Sequence, residues 1–178
     1  MNKLISELRR RALVGGDHVA LSGEHEQFTY TGLIAAVDSL AAELSQRGVR
    51  RAALIADNSP AWIAVDLACL QAGVALIPIP AFFSAEQLEH TLMSCGADTL
   101  ISDRRASDAQ IAAVLAGSTV TSAFESQPQF RLWSLAVADQ AASLPLGTVK
   151  LTYTSGSIRL CWRRHCSAIW RCCHWQPC

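Results

Sequence analysis

Four consecutive residues, Thr154, Ser155, Gly156 and Ser157, combine hydroxyl groups with a glycine. Hydroxyls and backbone N–H groups can donate hydrogen bonds to an anion, and a glycine lets the backbone approach that anion closely. The residues just before them, 149–153, alternate apolar and polar side chains, which predicts a strand with one buried face. The pattern therefore predicts a strand that leads into a loop able to hold a phosphate group.

The sequence after Ser157 differs in composition from the sequence before it. All fifteen acidic residues lie at or before Asp139, and eleven Lys and Arg accompany them up to Ser157, so that part has a net charge of −4. Beyond Ser157 there are four Arg, no acidic residue, five of the seven Cys and three of the five Trp. We therefore predict a boundary at this point, with one partial domain over 1–157 and a disordered tail over 158–178.

The tail has two other interpretations. Zinc binds thiolates and imidazoles in short paired spacings such as Cys-x-x-Cys. The order of these residues in the tail, Cys-x4-Cys-x5-Cys-Cys-His-x3-Cys, matches none of the usual zinc sites. A zinc-binding tail therefore stays open as an alternative, and no metal ligand is assigned. The candidate ligands are Cys161, His165, Cys166, Cys172, Cys173, His174 and Cys178. A basic tail with Trp could bind nucleic acid nonspecifically. A peptide translated in the wrong reading frame would have the same composition, so we expect no nucleic-acid partner.

Strand and helix patterns alternate along residues 19–137. An apolar stripe from Leu33 to Leu44 predicts an amphipathic helix, and Arg51–Ala56 is apolar on both faces, as in a buried parallel strand. Ser59 and Pro60 predict the start of a mostly buried helix in which Asp66 is the one charge between Trp62 and Leu70. The remaining predicted elements are a hairpin of Val19–Ser22 and Glu26–Thr29, a strand at Val74–Pro78, a helix that begins with a capping box at Ser84 and ends at Gly96, a strand at Asp98–Ser102, a helix at Asp108–Ala116, and strands at Thr119–Phe124 and Phe130–Val137. This alternation predicts an α/β fold with a mainly parallel sheet and flanking helices.

Composition excludes some classes of protein. No apolar segment is long enough to span a bilayer, and the first residues read as a short amphipathic helix without the features of a secretory signal. We therefore expect a cytoplasmic protein without a membrane span. No Gly-x-Gly-x-x-Gly pattern of a dinucleotide site occurs, and the sequence does not indicate an oligomeric state.

Three segments together resemble the adenylate-forming, AMP-binding enzymes. Phe28-Thr29-Tyr30 resembles the family's "T-Y-x-x-L" entry into a helix. Asp57–Trp62, followed by Ala72–Ile79, is similar to its "N-S-x-x-W/F … A-G-x-x-x-x-P-[LIV]" segment. Leu151–Ser157 resembles the first half of its phosphate loop, "Y-T-S-G-S-T-G-x-P-K-G". The order and approximate spacing also match, and the three segments cover nearly all of residues 18–157, which therefore resemble the N-terminal part of the large domain of these enzymes. The Asn-Ser-Pro-x-Trp form favours a resemblance to acyl-CoA synthetases over one to peptide-synthetase adenylation domains.

The resemblance implies an activity and its cofactors. Enzymes of this kind activate a carboxylic acid, fatty or aryl, with ATP and Mg²⁺ to an acyl-adenylate, and coenzyme A then takes the acyl group as a thioester. Thr154, Ser155, Gly156 and Ser157 would contact the ATP phosphates. The partner implied is a small-molecule carboxylic acid of unspecified identity.

The sequence also departs from the family after Ser157. Where the motif continues Thr-Gly-x-Pro-Lys-Gly, this chain has Ile158-Arg159-Leu160-Cys161-Trp162-Arg163, so the lysine that would neutralise phosphate charge is missing. Cys, Trp and Arg appear together when GC-rich DNA is read out of frame, and we interpret the tail as a reading-frame shift after Ser157. The family's later elements do not follow, so we assign no catalytic residue and expect an inactive fragment. The alternative is a non-catalytic α/β binding module.

Overall fold

The computed structural model describes residues 2–104, 111–112, 115, 119–136, 143–154 and 157–162, and within these it describes only the backbone of 119–122, 154 and 157–162. Four helices are present in this part of the chain: α1 (Lys3–Gly15), α2 (Tyr30–Gln46), α3 (Pro60–Ala72) and α4 (Ala85–Cys95). The strands are β1 (Val19–Ser22), β2 (Gln27–Thr29), β3 (Arg51–Ile55), β4 (Ala75–Pro78), β5 (Thr99–Ser102), β6 (Thr119–Ala123), β7 (Arg131–Ser134), β8 (Thr148–Thr154) and β9 (Ser157–Trp162).

The helix boundaries follow from their capping residues. The side chain of Thr29 accepts a hydrogen bond from the N–H of Gly32 at the start of α2, and Ser59 caps α3 in the same way with Pro60 in its first turn. Ser84 and Gln87 form a complete capping box at the start of α4. Since these side chains satisfy N–H groups that have no partner inside the helix, they fix where each helix begins. The predicted starts of α3 and α4 agree with these positions.

The main sheet has seven strands in the order β6-β7-β5-β3-β4-β8-β9, and β1 and β2 form a separate antiparallel pair. Its four central strands are parallel: β3 pairs with β4 and β5, and β4 pairs with β8. The outer strands are antiparallel, β7 to β5, β6 to β7 and β9 to β8. The predicted α/β fold with a parallel sheet is therefore confirmed, with antiparallel strands added at both sides.

The sheet separates two hydrophobic cores. On one face, which we call the first face, α1, α2 and α3 pack against strand residues such as Leu54 and Leu76. On the second face, α4 packs against Ile55, Ile77 and Leu151. Adjacent strand residues enter opposite cores because side chains alternate along a strand. Both faces of the central strands are thus covered, as a parallel sheet requires.

The helix expected at 108–116 lies mostly outside the described residues, which in that range are 111–112 and 115. The hairpin expected before α2 is confirmed as β1 and β2. Among the helices in the described part of the chain, none combines the length and the apolar character needed to cross a bilayer.

Candidate functional site

The centre of the sheet contains a change of direction in the chain path. After β3 the chain enters α3 on the first face and returns to β4, whereas after β4 it enters α4 on the second face and returns to β5 on the far side of β3. The loops that leave β3 and β4 therefore diverge to opposite faces, which opens a crevice at the carboxyl ends of these two strands. Open α/β sheets bind their ligands at such a switch point.

Thr154, the first of the candidate phosphate residues, lies at the same edge of the sheet. Strand β8 runs parallel to β4 and next to it, with Lys150 opposite Leu76. Thr154 is the last residue of β8 and so lies at its carboxyl end. Because parallel strands direct their carboxyl ends to one edge, the hydroxyl run begins one strand away from the crevice, about 5 Å by the usual strand spacing.

The four predicted site residues are only partly described. Thr154 and Ser157 are opposite each other in the β8–β9 ladder, so two residues join the paired positions. Ser155 and Gly156, which join the paired positions, lie outside the described residues. Strand β9 then continues to Trp162 and crosses the boundary expected after Ser157. The assignment of these four residues to a phosphate remains a prediction.

Lys150 makes the strongest polar contact of β8. Its Nζ donates a hydrogen bond to Oδ2 of Asp66 on α3 at 2.7 Å, and it also lies 5.6 Å from the centre of the Trp62 ring. The side chains of Lys150 and Asp66 are 12% and 22% exposed to solvent, so the ion pair is largely buried. Partial burial reduces screening by salt, and the aromatic ring adds a favourable cation–π contact.

Tyr153 makes a polar contact on the opposite face of β8. Its hydroxyl lies 2.8 Å from the hydroxyl of Ser94 on α4. Burial raises the pKa of Tyr153 above its usual value, and the hydrogen bond with Ser94 offsets part of that rise. Tyr153 is the residue immediately before Thr154, so this contact lies next to the candidate site.

The described residues of the loops after β3 and β5 include three charged side chains, those of Asp57, Asp103 and Arg104. The N–H of Asp57 donates to the Asp103 carboxylate at 3.3 Å, and Arg104 pairs with Asp57 at 3.6 Å. Burial raises the pKa of Asp103 above the usual range. The loop after β4, residues 79–83, carries no charged side chain. Two carboxylates and one guanidinium therefore line the described part of this edge, a weak arrangement for a polyanion.

Two concavities elsewhere on the described surface do not include this edge. One of about 220 Å³ is lined by Arg47, Val49, Thr99, Leu132 and Ser134. The other, of about 300 Å³, lies between α1 and α2 and is lined by Arg10, Arg11, Val14, Gly15, His18 and Tyr30. The candidate site is thus indicated by topology and sequence motif, while these cavities lie apart from it.

The sequence profile of the AMP-binding enzyme family matches residues 8–157. The chain belongs to this family. The match ends at Ser157, at the last residue of the Thr154–Ser157 run, and it confirms the resemblance inferred from the three motifs.

Two relatives illustrate the range of the AMP-binding family. Phosphinothricin tripeptide synthetase PhsC of Streptomyces viridochromogenes is 33% identical over 150 residues, which cover 79% of this chain and 13% of that protein. Feruloyl-CoA synthase of an Amycolatopsis species is 32% identical over 154 residues, which cover 83% of this chain and 30% of that protein. The chain therefore spans less than a third of the length of these relatives.

The solved structure of the anthranilate CoA ligase AuaEII in complex with anthranoyl-AMP has the same fold. It aligns with a TM-score of 0.69 at 16% identity, over 92% of this chain and 34% of that one. At this level of identity the likeness establishes the fold alone.

The candidate zinc ligands of the tail lie almost entirely outside the described residues. Of its candidate ligands, only Cys161 lies within the described residues, and only its backbone is described. In the described part of the chain, no group of three or more His, Cys, Asp or Glu side chains is arranged to hold a metal ion.

The two contacts of β8 with α3 and α4 were not predicted from the sequence. One signal was present: Asp66 is the only charge in the apolar stretch from Trp62 to Leu70, and a lone acid on a buried helix needs a cationic partner. Nothing in the sequence identified that partner as Lys150, since the position of β8 in the sheet was unknown. The Ser94–Tyr153 contact had no comparable signal, because both residue types are common in exposed positions.

Proposed function

We propose that the chain is the N-terminal part of the large domain of an acyl- or aryl-CoA-synthetase-like ligase, and that in its present sequence it does not adenylate a carboxylic acid. The complete enzyme would activate its acid with ATP and Mg²⁺ and transfer the acyl group to coenzyme A. The observation that carries the proposal is the position of Thr154 at the carboxyl end of β8, beside the crevice between β3 and β4.

Two features support the absence of adenylation. The motif lysine that would neutralise phosphate charge is missing, because Trp162 stands at its position in the sequence. The described loops at this edge supply the carboxylates of Asp57 and Asp103, the guanidinium of Arg104 and no lysine. Phosphoryl and adenylyl transfer depend on positioning and charge stabilisation, so without the motif lysine the chain lacks a cation that a triphosphate needs, and we derive no catalytic step through it.

A variant with a restored loop tests this assignment. Five substitutions, Ile158→Thr, Arg159→Gly, Cys161→Pro, Trp162→Lys and Arg163→Gly, rebuild Thr-Gly-x-Pro-Lys-Gly around Leu160. We expect the original chain to show no Mg-ATP binding by calorimetry, and the restored-loop variant to gain it. The matched control carries Met at position 162 in place of the new lysine and should bind more weakly. A folded restored-loop variant that does not bind Mg-ATP would contradict the placement of the site.

The absence of activity has its own test. ATP–pyrophosphate exchange is measured with the original chain and a panel of aryl acids, fatty acids and amino acids, because the relatives include both a CoA synthase and a peptide synthetase. We expect no exchange above background with any acid. Exchange with one of them would overturn the proposed inactivity and identify the substrate class. A stable, monodisperse chain that binds another ligand tightly would favour the non-catalytic module.

The origin of the tail is tested at the gene. We propose that a frame shift follows codon 157. The test is to translate the coding sequence beyond that codon in its other two frames. One of them should encode Thr-Gly-x-Pro-Lys-Gly. Its absence from both frames would leave the tail as a genuine segment.

A further inference from the structure

Strand β8 lies between β4 and β9 in the main sheet. Its register with β4 is defined by one pair of residues, Leu76 and Lys150. By comparison, β3 has four registered pairs with β4 and four with β5. Contacts of β8 side chains with α3 and α4 add to the backbone pairing of this strand with β4 and β9.

Two polar contacts hold β8, one on each face. Lys150 reaches Asp66 on the first face at 2.7 Å, and Tyr153 reaches Ser94 on the second face at 2.8 Å. The two β8 residues are an odd number of positions apart, so their side chains leave the strand in opposite directions. Together they restrain rotation of the strand about its axis as well as displacement from the sheet.

The helices that provide these contacts are those on either side of the switch point. Asp66 belongs to α3, which follows β3, and Ser94 belongs to α4, which follows β4. The loops that begin these helices form the two walls of the crevice. The two contacts therefore connect the strand of Thr154 to both walls, although Asp66 and Ser94 lie away from the candidate phosphate residues in sequence.

We propose that Asp66 and Ser94 are positioning residues that hold β8, through Lys150 and Tyr153, so that Thr154, the last residue of this strand, is fixed beside the crevice. Neither residue contacts the nucleotide in this assignment. The link to nucleotide binding rests on the proposed function, whereas the restraint on β8 stands on the contacts alone.

Native-state hydrogen exchange of the full chain tests the restraint. Asp66→Asn and Ser94→Ala should each accelerate exchange of the β8 and β9 amides by about tenfold, because the segment opens locally when a contact is lost. The β3 and β5 amides should keep their exchange rates. Lys150→Met removes the same ion pair while it keeps an apolar chain near Trp62, so it serves as a second variant if Asp66→Asn folds poorly.

Two controls separate this role from a general loss of stability. Asp38→Asn removes another ion pair between elements, that of Arg9 and Asp38, which does not involve β8; it should not accelerate exchange in β8 and β9. Ser94→Thr keeps the hydroxyl and should restore slow exchange. Equal acceleration in β3 and β5, the same effect from Asp38→Asn, or no rescue by Ser94→Thr would each overturn the proposal.

The connection to the nucleotide is tested in the restored-loop variant. Adding Asp66→Asn or Ser94→Ala to it should weaken Mg-ATP binding by about three- to tenfold, in proportion to the local opening measured by exchange. If the restored-loop variant itself does not bind Mg-ATP, the proposed function fails while the exchange result still decides the restraint. Unchanged affinity despite faster exchange would overturn the positioning role.

Discussion

The hydroxyl of Ser102 donates a hydrogen bond to the backbone carbonyl of Ile55 at 2.6 Å. These residues are the last of β5 and β3 and are opposite each other in the parallel ladder. Ser102 is fully buried, and its oxygen also accepts the N–H of Arg104 at 3.1 Å. One side chain thus links the carboxyl ends of two adjacent strands at the edge where the crevice opens.

Replacement of Ser102 by alanine should lower the free energy of unfolding by about 1–3 kcal/mol, because it leaves buried backbone groups without their partner. Urea denaturation monitored by circular dichroism measures the change. Ser45→Ala is the matched control, since the Ser45 hydroxyl is exposed and bonds to Ala41 within its own helix; it should change stability by less than about 0.5 kcal/mol. Equal losses in the two variants would contradict the role assigned to Ser102.

Glu7 should titrate well below the usual range for a glutamate. Hydrogen bonds from Arg10 and then Arg11 lower the pKa of its carboxyl from 4.5 to about 2. Because the folded pKa is the lower one, the stabilisation is complete above about pH 4.5 and is lost as the pH falls towards 2. A carbon-detected NMR titration of the Glu7 carboxyl should have its midpoint near 2.

The same effect should appear in melting temperatures. The difference between the original chain and Glu7→Gln is expected to be largest near neutral pH, to shrink below pH 4.5 and to vanish near pH 2. Added salt should reduce it, since the side chains are exposed. In Arg10→Gln the NMR midpoint should move up; a midpoint near 4.5 in the original chain would refute the prediction.

Cys69 should resist alkylation in the folded protein. The thiol is fully buried on α3, and burial, followed by the nearby charge of Asp66, raises its pKa far above the ordinary value. Because the thiolate is the reactive form, iodoacetamide at mildly alkaline pH should leave Cys69 unmodified until urea unfolds the chain. Peptide mass spectrometry reports the labelled fraction, and labelling in native buffer at the rate of a free thiol would show that this helix is not packed as described.

Gly16 should tolerate a side chain less well than Gly32. A Cβ at Gly16 would meet the Thr31 side chain and lie 2.7 Å from the carbonyl oxygen of Ala12, a backbone atom that cannot move away. We expect Gly16→Ala to cost about 1–3 kcal/mol of unfolding free energy, as overpacking commonly does.

Gly32→Ala is the matched comparison for Gly16→Ala. Its nearest neighbour would be the Thr29 hydroxyl at 3.3 Å, and alanine favours the helix. Thermal unfolding of the two variants ranks them, and the opposite order would contradict the description of the turn after α1.

The local elements were largely predictable from sequence. Ser59 with Pro60 and Ser84 with Gln87 are strong start signals that depend only on neighbouring residues, and both helices begin there. The run of apolar residues at Arg51–Ile55 likewise identified a strand covered on both faces. These predictions succeeded because capping and side-chain periodicity act within a few residues.

The arrangement of the strands was only partly predictable. Alternation of strands and helices indicated a parallel sheet, but β6 and β7 are joined by the short segment 124–130, which favours antiparallel pairing. The neighbour of β8 depends on contacts between residues distant in sequence, such as Lys150 with Asp66. For the same reason the motif identified the candidate site residues but not the helices that hold their strand.

The pairing of Leu76 with Lys150 also has a consequence for the order of folding. Strands β3, β4 and β5 and their connecting helices are close in sequence, so their contacts close short loops, while β8 must close a much longer one. We expect this central unit to assemble first during synthesis and to present a vacant strand position beside β4. The segment from Thr148 onward then docks late, onto a surface that already has its final shape.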